Sequence, residues 1–385
     1  MTVSLWQDTA AWPGELDHEL VDADVCVIGG GFVGAVLATR LAELGKQVVV
    51  VEAQQVGLGA SGRNAGHCIA AFRDSYHRVI ERLGHDAAGE LREQAVASRE
   101  WVAGRCEAFK VPYEANGSRY LAIDELERER LLASFEALSA DGQAVEWHED
   151  DPWDRGFRGM IYQPGDLGLQ PYLLVSRLMA ASGARVIENS PAREIVNANG
   201  KVEVHSRRAT VRCEQAILAT DAYSRLVHPF FRGRVDPVRA QALATEPLGF
   251  RMFDGPTGTN DGFEYFRQLP DTRFIIGGYR DVYADEEVGY ADETTPHLQA
   301  GLERWASEHF PELAELKVTH RWAGIMGFTP DGLPLVGKLP DLDEVYYCVG
   351  FNGGGMSMGP VAAQRAIALM TDGTSPGVFD GNRLA

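Results

Sequence analysis

Val25-Cys26-Val27-Ile28-Gly29-Gly30-Gly31-Phe32-Val33-Gly34 is an apolar run that ends in a glycine turn, and an apolar-periodic stretch, Ala35 to Leu44, follows it directly. Strand, glycine turn and helix in that order make a dinucleotide-binding unit. Gly29 makes the tight turn, Gly31 lets backbone approach a pyrophosphate, and Gly34 lets the helix pack closely on the sheet. Phe32 and Val33 begin the helix, so phosphates meet a helix N-terminus there.

A lone G-x-G-x-x-G is a weak signal, because glycine turns are common. Here a second apolar run, Gln47 to Val51, ends at Glu52, about 20 residues past the turn, with Ala53 beside it. A carboxylate at that spacing suits a ribose hydroxyl, as in FAD or NAD, and argues against a 2′-phosphate. The competing reading is a strand-helix-strand unit without a ligand. The stretch from Gly57 to His67 (G-L-G-A-S-G-R-N-A-G-H) is too rich in Gly, Ser and Asn for a regular element and reads as a loop that hugs a ligand. Its contact candidates are Ser61, Gly62, Arg63, Asn64, Ala65 and Gly66, through backbone N–H groups and the side-chain donors of Ser61, Arg63 and Asn64.

At 385 residues the chain exceeds what one core usually organises, so two domains or one domain with a large insertion are expected. A formal charge of -19 disfavours nucleic acid and anionic membrane surfaces as partners. The five cysteines are scattered, with no C-x-x-C, which argues against a disulfide framework or a metal site and for reduced thiols in a cytoplasmic protein. Met1 to Leu20 has no basic n-region or long apolar stretch, so no signal peptide is expected, and no window approaches the ~20 apolar residues of a membrane helix.

Farther along, Ala87 to Phe109 and Glu125 to Ala140 have helical spacing among charges. Pro, Gly and Asp dominate from Asp150 to Gly168, where a crossing between domains is expected. Gln170 to Ser182 reads as a helix, and Ala184 to Glu188, Val202 to His205 and Cys213 to Thr220 as strands, the last returning to the nucleotide sheet. Alternating segments (Ala240 to Thr245, Gly262 to Gln268, Arg273 to Tyr279) predict an antiparallel sheet, and His297 to His309 a helix. The chain then repeats its opening: strand Glu344 to Val349, glycine turn Gly350 to Gly355, helix Gly359 to Thr371.

Five motifs in this order carry a likeness: the glycine turn with Glu52, G-A-S-G-R-N-A-G at Gly59 to Gly66, R-W-A-G at Arg321 to Gly324, T-P-D-G-L-P at Thr329 to Pro334, and G-F-N-G-G-G-M at Gly350 to Met356. Together they resemble the D-amino-acid oxidase superfamily of FAD-dependent oxidoreductases, in its glycine- and sarcosine-oxidase-like branch, and most nearly the motifs of gamma-glutamylputrescine oxidoreductases. The resemblance implies an α/β fold with an α+β second domain: a Rossmann-type FAD-binding domain from residues 1–90, 155–235 and 320–385, and an inserted antiparallel-sheet substrate domain from 91–154 and 236–319. It also implies FAD contacts at Thr220, Gly353, Gly354, Gly355 and Met356, and oxidation of a C–N bond by hydride transfer to flavin N5.

Departures from the family pattern are informative. Some relatives attach flavin through a cysteine before the T-P-D-like motif, whereas Gly324-Ile325-Met326-Gly327-Phe328 has none, so non-covalent FAD is expected. The usual carboxylate anchors are replaced by Met326 and Ser357, and the lysine that serves oxygen is replaced by Ile276. A buried carboxylate without a charged partner costs several kcal/mol. Another arginine must therefore serve, or the substrate is an amine. Arg280 and Arg73 are the candidate replacements, and His67 stands where the loop meets substrate. Catalytic roles are expected for His67 and Arg280, and substrate contacts for Arg73, Tyr265, Met326 and Asn352. Tyr223, Glu264, Arg267 and Trp322 could line the pocket or pack elsewhere. The expected function is oxidation of a small amine or amino acid with oxygen as acceptor. The alternatives are a dehydrogenase using another acceptor, an NAD-dependent dehydrogenase, or a non-catalytic flavoprotein; self-association into a homo-oligomer stays open.

Overall fold

In strand Glu19–Ile28 the second half, Val25 to Ile28, is apolar on both faces because both are covered. Val25 and Val27 pack in one core with Val36 and Leu37, while Cys26 and Ile28 turn to a second core with Val49 and Val211. The computed structural model describes residues 18–72, 74–315 and 317–384. In it this strand lies at the middle of an eight-stranded sheet, parallel to Val48–Val51 on one side and to Ala209–Leu218 on the other. Arg185–Ile187 extends the parallel set beyond Val48–Val51. Val345–Val349 joins parallel to Ala209–Leu218, so the end of the chain returns to the sheet that its beginning founds. Leu335–Lys338, Lys201–Ser206 and Ala192–Ala198 complete it as antiparallel strands.

Helix Phe32–Glu43 rises from Gly31 and is buried along most of its length. A Cβ on Gly34 would drive into the Gly29 carbonyl, and Gly29 itself takes φ 113, so both glycines are sterically required. The closing helix Gly355–Asp372 packs beside it, beginning four residues earlier than its apolar periodicity implied. Gly355 already lies in the helix, which is buried from Met356 to Ala363. Burial holds the first turn that propensity alone disfavours.

The second sheet, also eight-stranded, runs in the order Val318–Phe328, Asp236–Pro247, Arg273–Gly278, Glu264–Gln268, Thr257–Thr259, Ser118–Leu121, Met160–Gln163, Glu146–His148. It is antiparallel, as expected, except where Thr257–Thr259 meets Ser118–Leu121 in parallel. One face is sealed by helix Pro296–His309 over Phe266, Phe274 and Ile276. Two strands depart from the expected segmentation. Val318–Phe328 pairs along its length with Asp236–Pro247, and Met160–Gln163 pairs with Ser118–Leu121, so both belong to this second sheet, and boundaries at 320 and 155 cut through it. A small third sheet of His67–Cys68, Leu167–Leu169 and Tyr113–Glu114 lies where the loop after Glu52 ends. No helix among the described residues is long and apolar enough to cross a membrane.

Candidate active site

The carboxyl end of the first sheet gathers the expected cofactor residues. Glu52 Oε2 accepts the Gly30 N–H at 2.6 Å and its Oε1 accepts the Gln54 N–H at 2.8 Å, which fixes the carboxylate between the turn and the second strand. Burial raises its pKa, opposed by these N–H groups. Ala53 beside it is exposed. The Phe32 N–H donates to Ser61 Oγ at 2.8 Å, and a Cβ on Gly31 would stand 3.0 Å from the same oxygen. The 57–66 loop is thereby docked on the first turn. Gly31, at the N-cap, has no side chain to cap helix Phe32–Glu43, and Ser61 takes only the Phe32 N–H, so the next first-turn N–H groups suit an anion.

Inside the loop, Ala60–Arg63 forms one helical turn where no regular element was expected. Asn64 explains it: its Nδ2 donates to the Ala60 and Ser61 carbonyls and its Oδ1 accepts the Gly66 N–H. Arg63 donates Nε–H to Leu58 O and Nη1–H to Ala323 O and to the Asp292 carboxylate. The Asn64 amide is fully engaged and Arg63 is turned to the second sheet. Both shape the loop, and its backbone is tied down as well: the Gly62 N–H donates to Gly59 O, and Gly66 O accepts the Leu169 N–H. A Cβ at Gly62 would strike the Gly57 carbonyl, and one at Gly66 the Leu169 carbonyl.

The closing turn is braced by a residue for which the sequence suggested no role. Asp221 accepts N–H groups from Gly327 at 2.8 Å, Gly350 at 2.9 Å and Phe351 at 3.1 Å, joining the end of strand Val318–Phe328 to the closing turn. Burial pushes its carboxyl up, and the N–H groups oppose that. Its only sequence signal is an acidic residue directly after a strand. Thr220, the expected contact, shares a hydroxyl hydrogen bond with Ser224 at 2.9 Å. Gly353, Gly354 and Gly355 follow the turn, and the Met356 carbonyl lies 3.8 Å from Cys68 Sγ.

On the substrate side the structure brings together residues far apart in sequence. The rings of His67 and Tyr265 meet edge-on, centroids 6.1 Å apart. His67 Nε2 is enclosed and has no hydrogen-bond partner, and burial lowers the imidazole pKa to about 3, with the Arg267 charge adding to it. Burial likewise pushes the Tyr265 phenol up to about 12 while Arg280 pulls it back. The Arg280 guanidinium lies over the Phe263 and Phe328 rings at 5.1 and 5.2 Å. Met326 Sδ is 3.6 Å from where a Cβ on Gly353 would stand, which sets it at the closing turn.

Several expectations are corrected. Asn352 is not offered to substrate: its Nδ2 donates to Thr329 Oγ1 and Gly350 O, and its Oδ1 accepts the Thr329 N–H. It holds a left-handed corner, φ 54. Ile276 is fully buried beneath helix Pro296–His309, on the sheet face opposite Tyr265. Ser357 Oγ donates to the Ile69 carbonyl. Of the residues that the sequence left undecided, Trp322 is half-buried and Arg267 buried on the Tyr265 face, Glu264 is buried on the opposite face of its strand, and Tyr223 stacks on Tyr290 at the surface. Arg73 lies outside the described residues.

Glycines where two strands end, a carboxylate for a ribose, a helix N-terminus with glycine at its N-cap and a second loop docked on it fit an adenine dinucleotide. Residues 24–369 match the DAO family, FAD dependent oxidoreductases. The chain belongs to that family. It is similar to gamma-glutamylputrescine oxidoreductase of Escherichia coli, 25% identical over 93% of this chain and 86% of that protein. It is also 27% identical to a glycine oxidase of Bacillus licheniformis, over 89% of this chain and 91% of the relative. Among solved structures, glycine oxidase from Geobacillus kaustophilus superposes with a TM-score of 0.79 over 94% of this chain and 97% of its own, at 20% identity, a likeness of fold. As a DAO-family oxidoreductase the protein uses FAD, which removes the NAD-dependent dehydrogenase alternative. The residues that would hold FAD are the Gly29 to Gly34 turn, Glu52, the 61–66 loop and Gly353 to Met356, where the closing helix begins.

Proposed function

We propose that this enzyme oxidises the C–N bond of a small amine or amino acid to an imine, with oxygen as the final electron acceptor and FAD held non-covalently. The carbon loses a hydride, the nitrogen lone pair forms the C=N bond, and one N–H proton of the resulting iminium is released to give the imine, which water then hydrolyses. FAD, when bound, supplies the hydride-accepting N5. The chain supplies position, water exclusion and a place for a proton. His67 carries the reading: an enclosed, unpartnered Nε2 on a neutral ring beside Tyr265 accepts a hydrogen bond from a substrate N–H without competing for charge. Tyr265, un-ionised at neutral pH, can donate its O–H to the same ligand. The names of the amine- and glycine-oxidising relatives support the substrate class.

A dehydrogenase using another acceptor is the second reading. All five lysines, Lys46, Lys110, Lys201, Lys317 and Lys338, are exposed, so none is buried at this site. Anaerobic titration of the yellow protein with an amine and amino-acid panel tests the proposal. Bleaching is the expected outcome, and reoxidation in air decides between the two readings. No bleaching by any member would leave only a non-catalytic flavoprotein.

A further inference from the structure

Strand Glu264–Gln268 sends its side chains to alternate faces. Phe266 enters the aromatic core with Phe274 and Trp305, while Tyr265 and Arg267 point to the opposite face, where His67 lies. Arg267 reaches into the small third sheet through space that two glycines clear. A Cβ on Gly168 would collide with its guanidinium, and one on Gly66 would stand 3.1 Å from Nη1. Nη1 donates to Gly66 O at 3.0 Å and Leu169 O at 3.3 Å. Gly66 is the residue before His67, so the guanidinium is fixed beside the unpartnered imidazole.

This cation lacks what the other buried arginines have. Arg92, Arg239 and Arg267 are each 4% exposed. The Nε and Nη2 groups of Arg239 are bound by the two oxygens of Glu287 at 2.9 Å, and those of Arg92 donate to Gln143 Oε1 at 3.2 Å and Gln163 Oε1 at 2.9 Å. Among the described residues no carboxylate lies within ion-pairing distance of Arg267. The nearest acidic influence, Glu114, is already paired with Arg251 at 2.7 Å. Burial accordingly depresses the guanidinium pKa to about 10, a cost that an anionic ligand would relieve. Nη1 alone contacts the two carbonyls, which leaves the Nε and Nη2 edge, the edge that takes a carboxylate in fork geometry, without a protein acceptor among the described residues.

We propose that Arg267 binds the carboxylate of the substrate, in place of the anchors lost at Met326 and Ser357, and so makes the enzyme select amino acids over simple amines. This rests on the proposed C–N oxidation, but the site itself is testable without turnover. FAD-loaded protein is titrated with propionate and with propionamide, its neutral counterpart of similar shape, following the visible flavin band and the melting temperature. Propionate is expected to bind at least tenfold more tightly than propionamide. Arg267→Gln should weaken propionate at least tenfold with FAD retained, and Arg267→Lys should lie between. Equal binding of the two compounds, or propionate affinity within twofold in Arg267→Gln, overturns the assignment. If neither variant folds, propionate must protect Arg267 of the wild-type protein from phenylglyoxal, read by peptide mass spectrometry; unprotected modification also overturns it. A variant that binds propionate normally and is slowed only in reoxidation by air would assign the cation to oxygen, against this proposal. Carboxylate binding without bleaching by any amine or amino acid would sink the proposed oxidation while supporting the anion site.

Discussion

The indole Nε1 of Trp322 donates to the Arg63 carbonyl at 2.6 Å, and Arg63 Nη1 donates to the carbonyl of Ala323, the next residue, at 2.9 Å. This reciprocal pair stitches the cofactor loop to Val318–Phe328, the edge strand of the second sheet. The loop's position on the glycine turn therefore depends on the other sheet.

Trp322→Phe keeps an aromatic ring and removes the donor, leaving the Arg63 carbonyl short of a partner. A lost hydrogen bond of this kind costs about 1 kcal/mol, roughly a fivefold weakening if all of it falls on the FAD-competent loop. FAD affinity measured by flavin fluorescence on reconstitution of apoprotein tests this. Unchanged affinity would show that the stitch does not set the loop.

Asp221→Asn replaces an acceptor facing several N–H groups by an amide whose NH2 must point at some of them. At least one buried donor is left unsatisfied, at about 1–3 kcal/mol, in the turn that holds Gly350 and Phe351. A lower melting temperature and faster FAD release are expected together. Loss of stability with unaltered FAD release would make Asp221 a brace of the fold alone.

His67 is neutral throughout the physiological range because burial holds its pKa near about 3. The folded value is depressed below the ordinary 6.5, so the unfolded chain takes up the proton first. The stability contributed by the buried neutral ring is complete above pH 6.5 and is lost as pH falls towards 3. The NMR shifts of its ring should stay flat from pH 8 to 5, and His67→Ala should slow anaerobic flavin reduction roughly tenfold, about 1.4 kcal/mol. A ring that titrates near 6.5 would remove the neutral-acceptor role.

What the chain discloses in one dimension follows the range of the interactions. Gly29 to Gly34 and Glu52 were legible because a strand, a turn and a helix N-terminus are local constraints repeated in one short stretch. Glu264–Gln268 was legible as a strand, but which face meets the cofactor is decided by helix Pro296–His309 covering Phe266, and Arg267 meets Gly66 only through two different sheets. Asn352 misled for a related reason. Its motif pointed to substrate, yet a left-handed corner took its amide for Thr329 and Gly350. Ile276 was matched by motif alone, and strand alternation turns it to the core.

Glu264 offers the sharpest test of the second sheet's electrostatics. It is 1% exposed, its Oε2 has no partner, and burial together with the Asp281 and Glu127 charges raises its pKa from 4.5 to about 7, against a hydrogen bond from Asn260. The folded value lies above the unfolded one, so the folded state holds the proton longer. The stability this provides is fully present below pH 4.5 and disappears as pH rises through about 7. A shift of that size corresponds to at most about 3 kcal/mol. Glu264→Gln mimics the protonated acid and cannot ionise. Its stability relative to wild type, from denaturant unfolding, should be similar at pH 4.5 and more favourable at pH 8, while all other titrating groups cancel in the difference. A wild-type-to-variant difference that is the same at both pH values would mean that Glu264 is not held protonated by its surroundings.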